Sequence, residues 1–186
     1  MPPPLMVRFH GGEAGPWRVL RQRVLSGAPL PEARRLAVQE AAAPSPPGPI
    51  AWTLAGSTGN LRYTERIEAD SLAARQEGLA RPQAVHAALI PIRKNEAWWS
   101  LAQDERRAVL EAQSRHIAIG MDYLPAVARR LHHSRELGEP FDFLTWFEYA
   151  PEHEPAFDEM LGRLRAQREW DFVEREVEIR LVRELG

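Results

Sequence analysis

The chain has 186 residues, with 24 basic against 26 acidic side chains and a formal net charge of −2. That near balance excludes a general nucleic-acid footprint, so an anionic ligand must be drawn by local cations and not by the field of the whole molecule. Cysteine is absent, which excludes disulfide staples, thiol nucleophiles, thiolate metal sites and iron–sulfur clusters, while a chain of this length still buries about 70% of its extended surface.

Residues 1–16 are rich in proline and glycine and are expected to be loose. The start, Met1-Pro2-Pro3-Pro4-Leu5-Met6, has no basic region followed by an apolar run. No stretch approaches the ~20 apolar residues of a membrane helix. The expectation is a cytoplasmic protein without membrane contact. Trp17 to Leu25 alternates well enough for a strand. Pro31 to Ala43 is predicted to be a helix, opened by its proline. Residues 44–49, PSPPGP, are a loop, because proline and glycine cannot continue it. Ile50 to Ala55 reads as a strand, Ser57-Thr58-Gly59 as a turn, Asn60 to Thr64 as a short returning strand and residues 65–80 as weakly helical.

The second half is sharper. His86 to Lys94 is a strand. Leu101 to Gly120 is a long helix, with Gly120 as its cap and His116 on its last turn. Ala126 to His133 alternates as a strand, Gly138-Glu139-Pro140 is a turn, and Phe141 to Tyr149 is an aromatic-rich strand. Pro155 to Trp170 is amphipathic, with Phe157, Leu161 and Leu164 on one face, and Phe172 to Val182 closes as a strand. That order is β-α-β-β-α-β, a ferredoxin-like unit. The first half is an incomplete version of it, and two such halves can pack their sheets together.

Residues two apart on a strand share a face. Val127, Arg129, Leu131 and His133 therefore share one face, and so do Phe141, Phe143, Thr145 and Phe147. If these faces coincide, they line an apolar chamber holding one guanidinium, an expensive placement that needs a reason. If not, Arg129 and Arg130 both meet solvent. Six histidines are present, without a His-Glu-x-x-His pattern or another metal-ligand spacing. His116 sits among apolar neighbours, either as a satisfied core residue or as an axial haem ligand, since haem needs one imidazole and an apolar pocket. Trp98-Trp99 is either packing filler or the cover of a large aromatic cofactor, with an indole N–H for a propionate. Walker loops, G-x-G-x-x-G and nucleophilic triads are missing.

Several pieces then line up in order and spacing. They are Ile90-Pro91-Ile92-Arg93-Lys94, Trp98-Trp99, Asp104-Glu105-Arg106, His116-x-x-Ile119-Gly120, Tyr123-Leu124, Arg129, Phe141 through Glu148, Leu164-Arg165 and Glu169-Trp170. Together they resemble the chlorite dismutase family of haem b proteins, and within it the short members with a trimmed N-terminal half. Asn60-Leu61-Arg62-Tyr63-Thr64 also fits. The resemblance implies an α+β fold of two ferredoxin-like halves forming a dimeric α+β barrel. The truncated N-terminal half would be residues 1–85, and the haem-binding half residues 86–186.

The resemblance further implies that His116 ligates the iron and that Glu169 accepts a hydrogen bond from its other nitrogen. It puts Arg129 on the distal side, with Leu131, Thr145 and Phe147 as distal wall. Trp98, Trp99, Asn60 and Tyr63 become haem-edge or propionate residues, helped by Lys94 and Arg93. The implied reaction takes chlorite to chloride and dioxygen through ferryl iron. Arg129 keeps a transient hypochlorite in a dry pocket. The alternative is a haem-binding or peroxidase-like protein of the same family without oxygen evolution. Ile90 stands where the related coproheme decarboxylases carry tyrosine, and Arg129 where they carry a neutral amide, which argues against that chemistry. The Gly-x-x-Asp-Gly motif of dye-decolorising peroxidases is missing. The implied partners are chlorite, other small anions and a second copy in a homodimer.

Overall fold

A computed structural model describes residues 3–59 and 78–184. Among the described residues, eight strands close into one barrel in the order β1-β3-β2-β8-β5-β7-β6-β4. They are β1 (Met6–Gly12), β2 (Trp17–Ser26), β3 (Arg35–Glu40), β4 (Ile50–Ser57), β5 (His86–Lys94), β6 (Val127–His133), β7 (Phe143–Tyr149) and β8 (Val173–Arg183). Within each half the order is fourth-first-third-second, the ferredoxin-like arrangement. The halves meet along β2 and β8, paired from Trp17↔Arg183 to Ser26↔Glu176. On the other side a single pair, Ser57↔His133, closes β4 onto β6. Gly56 makes that approach possible, because a Cβ there would lie 2.6 Å from the His132 Cβ.

The N-terminal half departs from expectation twice. Residues 6–12, expected to be loose, form β1 at the centre of its sheet. The helix predicted over Pro31 to Ala43 is instead β3, flanked by β1 and β2. Alanine and glutamate made that segment look helical. Leu36 and Val38 nevertheless alternate toward the barrel core, and pairing on both sides outweighs local propensity. Both crossover helices of the half are replaced by loops. β2 starts at the level where β1 ends, since Arg35 pairs with both Gly12 and Arg18, so residues 13–16 suffice as a connection. Residues 41–49 return the chain from β3 to β4, and their prolines keep them extended.

The C-terminal half keeps its crossovers. After β5 come α1 (Glu96–Ser100), α2 (Gln103–Arg107), a π-helical turn (Ala108–Gln113) and α3 (His116–Met121). The single long helix expected from Leu101 to Gly120 is therefore broken. Arg115 takes the left-handed conformation (φ 51°, ψ 36°), which stops one helical run and starts another. Gly120 lies inside α3 and does not cap it. α4 (Glu154–Arg165) ends earlier than expected, and a 3₁₀ turn (Arg168–Phe172) leads into β8.

β5 reads as a continuous apolar run because both its faces are buried. Ala87 and Leu89 join Phe9, Leu36, Leu54, Trp146 and Ile179 inside the barrel. Ala88 and Ile90 face outward and pack with Phe147, Phe157, Met160 and Leu161 beneath α4. A third cluster, Trp98, Val109, Leu110 and Ile117, sits among the broken helices. No helix among the described residues is long and apolar enough to cross a membrane. The expected strand at Asn60 to Thr64, and most of the helix expected over 65–80, lie outside the described residues.

Candidate functional site

The outer face of β5, β6, β7 and β8 forms one wall of a two-lobed cavity, and the helices after β5 form the other. Register fixes the first wall. Arg129 pairs with Phe147, Leu131 with Thr145 and His133 with Phe143, while Ile90 pairs with Thr145 and Ile92 with Phe143. The two strand faces identified by parity coincide from Phe143 onward, whereas Phe141, expected on the same face, precedes β7 and packs into the barrel core, because strand alternation does not extend to it. The lobes share Ile92, His116, Arg129, Thr145 and Trp170. The larger holds about 720 Å³ of atom-free space, part of it open to solvent, and the smaller about 480 Å³. The walls are chiefly apolar with a few convergent polar groups, the lining usual for a ligand site.

His116 enters from the helical wall. It is the first residue of α3, directly after Arg115, and not on a last turn. Glu111 caps the restarted helix by accepting from the Ile117 N–H. The Ser114 hydroxyl accepts from the Glu169 N–H at 2.9 Å, tying the break to the turn before β8. The imidazole Nδ1 then lies 2.6 Å from Glu169 Oε2. Glu169 Oε1 lies 2.8 Å from the Lys94 ammonium. Lys94 and Glu169 are only 4% and 5% exposed, so both charges depend on their partners.

Burial alone would raise the Glu169 pKa. Electrostatic attraction and hydrogen bonds from His116 and from the Lys94 ammonium outweigh it and hold the carboxyl at about 2. As an acceptor-only carboxylate, Glu169 requires the proton of a neutral His116 to sit on Nδ1. The Nε2 lone pair is then the one left for a ligand. Burial pulls Lys94 down, and Glu169 and Asp142 oppose that shift.

Arg129 comes from the facing wall, on β6, and reaches both lobes. Burial lowers its pKa from the ordinary arginine value. A guanidinium facing this chamber has the chemistry to bind an anion.

The remaining expected site residues fall into three groups. Leu131, Thr145 and Phe147 line the cavity together with Trp98. Lys94, expected at the cofactor's edge, sits behind His116 with its ammonium over the Trp98 ring at 3.8 Å. Trp99 is wedged between Arg135 and Arg106, 3.9 and 5.0 Å from its ring, and donates to Asp142 Oδ2 at 3.2 Å. It joins the helical wall to the β6–β7 hairpin. Arg93 pairs with Glu174 at the surface. Asn60 and Tyr63 lie outside the described residues.

Sequence reasoning did not pick out Glu111, Ser114 or Glu176 as site residues, whereas His133, placed on the chamber face by parity, does line the cavity. Glu176 is buried beside the cavity and takes Arg165 and the Trp170 indole. The only available signal was the parity of β8, where Val177, Ile179 and Leu181 point into the barrel. Glu176, Glu178 and Arg180 must then face α4.

Among the described residues, no group of three or more histidine and carboxylate side chains could hold a metal ion. A single imidazole on a roomy apolar chamber instead fits a metal whose other ligands come from a macrocycle. His116 backed by Glu169 on one wall and the apolar lining with Arg129 on the other agree with haem.

Known proteins match at several levels. The family model described as chlorite dismutase matches residues 49–184. A dimeric chlorite dismutase of known structure from Nitrobacter winogradskyi is 49% identical, with a TM-score of 0.89 over 96% of this chain and 99% of that one. A curated chlorite dismutase from Ideonella dechloratans is 32% identical over 101 residues, 53% of this chain and 34% of the relative, so the match spans about a third of that protein. The chlorite dismutase of Candidatus Nitrospira defluvii, in complex with imidazole, shares 18% identity and a TM-score of 0.68 over 97% of this chain and 91% of that one, a likeness of fold.

Proposed function

Since the chain belongs to the chlorite dismutase family, we propose that it is a haem b-dependent chlorite dismutase, converting chlorite to chloride and dioxygen. The observation that carries this reading is one chamber holding an imidazole backed by a buried carboxylate on one wall and a half-buried guanidinium on the other. His116 would hold the iron through Nε2, and Trp98, Ile117, Leu131, Thr145 and Phe147 would pack the macrocycle and the space above it. Bound there, haem supplies the redox chemistry that takes an oxygen atom from chlorite and joins two oxygens.

The side chains supply everything else. Glu169 accepts a hydrogen bond from His116 Nδ1–H and gives the imidazole anionic character, which favours oxidised iron. Lys94 neutralises the second oxygen of that carboxylate and keeps it from turning away. Arg129 draws chlorite in and then holds the hypochlorite-level anion by charge-assisted hydrogen bonds until the O–O bond forms. The apolar residues around it offer no competing base and exclude water, so the anion is retained. The N. winogradskyi relative is described as dimeric, and we infer a homodimer here too.

The test is an oxygen electrode with haem-reconstituted protein. The expected result is one O₂ and one chloride per chlorite consumed. A full Soret band with no oxygen evolution would overturn the dismutase reading and favour a haem-binding or peroxidase-like relative.

A further inference from the structure

We propose that the Glu169–Trp170 dipeptide grips the His116 imidazole by edge and by face, and that Glu176, acting through the Trp170 indole, sets the plane of the ring. The inference rests on the reading of His116 as the iron ligand. Trp170 and Glu176 are positioning residues in it.

The edge contact is the 2.6 Å hydrogen bond from Nδ1 to Glu169 Oε2. It restrains the ring without fixing it. The χ2 torsion of histidine is broad, and a single hydrogen bond at one corner of the ring tolerates a range of angles before it weakens. The face contact supplies the missing restraint. The Trp170 ring lies nearly parallel to His116, with an interplanar angle of 12° and centroids 6.3 Å apart, an offset stack within the favoured range.

A stack fixes a plane only if the plate is itself fixed. The Trp170 N–H donates to Glu176 Oε1 at 2.9 Å. Glu176 is 2% exposed, and its other oxygen takes Arg165 Nε and Nη2 at 2.9 and 2.7 Å. Arg165 also binds Glu178 at 2.8 Å, and Glu178 binds Arg180 at 3.0 Å. The plate is thus bolted through β8 to the end of α4, and its tether faces the smaller lobe of the cavity.

Such a device has a purpose in a ligand. The π orbital of an imidazole stands perpendicular to its ring, so the plane selects which metal orbital it meets. Glu169 sets how much electron density the ligand gives, and Trp170 with Glu176 sets the direction in which it is given. The two functions separate by substitution.

The experiment uses haem-loaded protein, electron paramagnetic resonance of the ferric state and resonance Raman spectroscopy of the ferrous Fe–His stretch. Glu176→Ala and Trp170→Phe should broaden the ferric signal and make it more rhombic, with the mean Fe–His frequency unmoved because Glu169 is untouched. Glu176→Gln should restore the parent line shape, since its amide oxygen still accepts the indole N–H. Glu169→Gln should do the reverse, shifting the stretch to lower frequency without broadening. Parent-like spectra in both Glu176→Ala and Trp170→Phe would overturn the inference. If Glu176→Ala does not fold, Trp170→Phe still decides, because it keeps the Arg165–Glu176 pair. His116→Ala is the control. An Fe–His band that survives it would overturn the ligand assignment, and this inference with it.

Discussion

The two halves of the barrel have the same strand order, yet the chain crosses between strands very differently in each. In the N-terminal half, residues 13–16 and 41–49 make the crossovers, and no helix is described over that sheet's outer face. In the C-terminal half, residues 95–126 and 150–172 do so, and they stand far enough off the sheet to leave a chamber. The strands are a shared frame, and the site comes from the length and breakage of what joins them. The broken crossover after β5 brings His116, and the turn before β8 brings Glu169 and Trp170. The sheet supplies Arg129 and the apolar wall. Perturbing the chamber should therefore change chemistry and leave the barrel folded, whereas perturbing the seam between the halves should change stability and leave chemistry alone.

The largest effect on the chemical side is expected from Arg129, the guanidinium that the sheet turns into the cavity. Arg129→Ala should lower chlorite turnover by about 10²–10³-fold, the usual loss when a preorganised anion donor is removed. The haem should also bleach after fewer turnovers, because the hypochlorite-level anion escapes and oxidises it. Oxygen yield and Soret decay, recorded in the same cuvette, measure both. Unchanged durability per turnover would remove the retention role while leaving Arg129 a place in binding.

A smaller change is expected behind the imidazole. Glu169→Gln keeps an acceptor near Nδ1 but removes its charge, so the iron should become easier to reduce. Haem affinity or turnover should fall by about 10–100-fold, as for other partners of metal ligands. The substitution also strips buried Lys94 of its counter-charge, which is costly in itself. The double variant Lys94→Met with Glu169→Gln separates the two effects. Its potential should still rise although its buried cation is gone. A potential that stays at the parent value in both variants would count against the carboxylate's electronic role.

The chamber wall was legible in the sequence because strand parity is a local rule. Arg129, Leu131 and His133 alternate, as do Phe143, Thr145 and Phe147, and the register sets the two faces side by side. The resemblance supplied His116 and Glu169 as a pair, which no local rule could link across 53 positions. What was not legible depended on partners distant in the chain. β3 looks helpful to a helix until β1 and β2 are known to flank it. The break at Arg115 is hidden in a run of good helix formers, and it exists because Glu111 and Ser114 bond to the restarted helix and to the turn before β8. Glu176, Glu178 and Arg180 alternate as a wet strand face would, and only α4 packing over them makes them buried.

The smallest effect on turnover, and the clearest one on stability, is expected at the seam where β6 meets β4. His132 points into the barrel, fully buried, edge-on to Phe9 at 5.1 Å. Its Nδ1–H donates to the Leu144 carbonyl at 2.9 Å, and its Nε2 accepts from Arg130 Nε at 2.9 Å. The ring is therefore neutral, and a second proton would have to displace the guanidinium. Burial is the chief cause that lowers its pKa to about 4, and the Arg130 and His133 charges add to it, against the Leu144 carbonyl and Glu40. The folded value lies below the unfolded one, so between pH 6.5 and 4 the unfolded chain takes up a proton that the folded chain refuses. Stability is then whole above pH 6.5, falls as the pH drops and stops falling from this cause below about 4. The loss amounts to about 3 kcal/mol. Denaturant unfolding at pH 7 and pH 4 measures it. His132→Gln can keep both hydrogen bonds and cannot titrate, so its loss over the same interval should be smaller by about that 3 kcal/mol. Chlorite turnover at neutral pH should not change in that variant, since the side chain faces the barrel interior and not the cavity. An equal pH dependence in parent and variant would remove His132 as the origin. A fall in turnover at neutral pH would show that the seam and the chamber are coupled, and the two halves would then be less independent than their connections suggest.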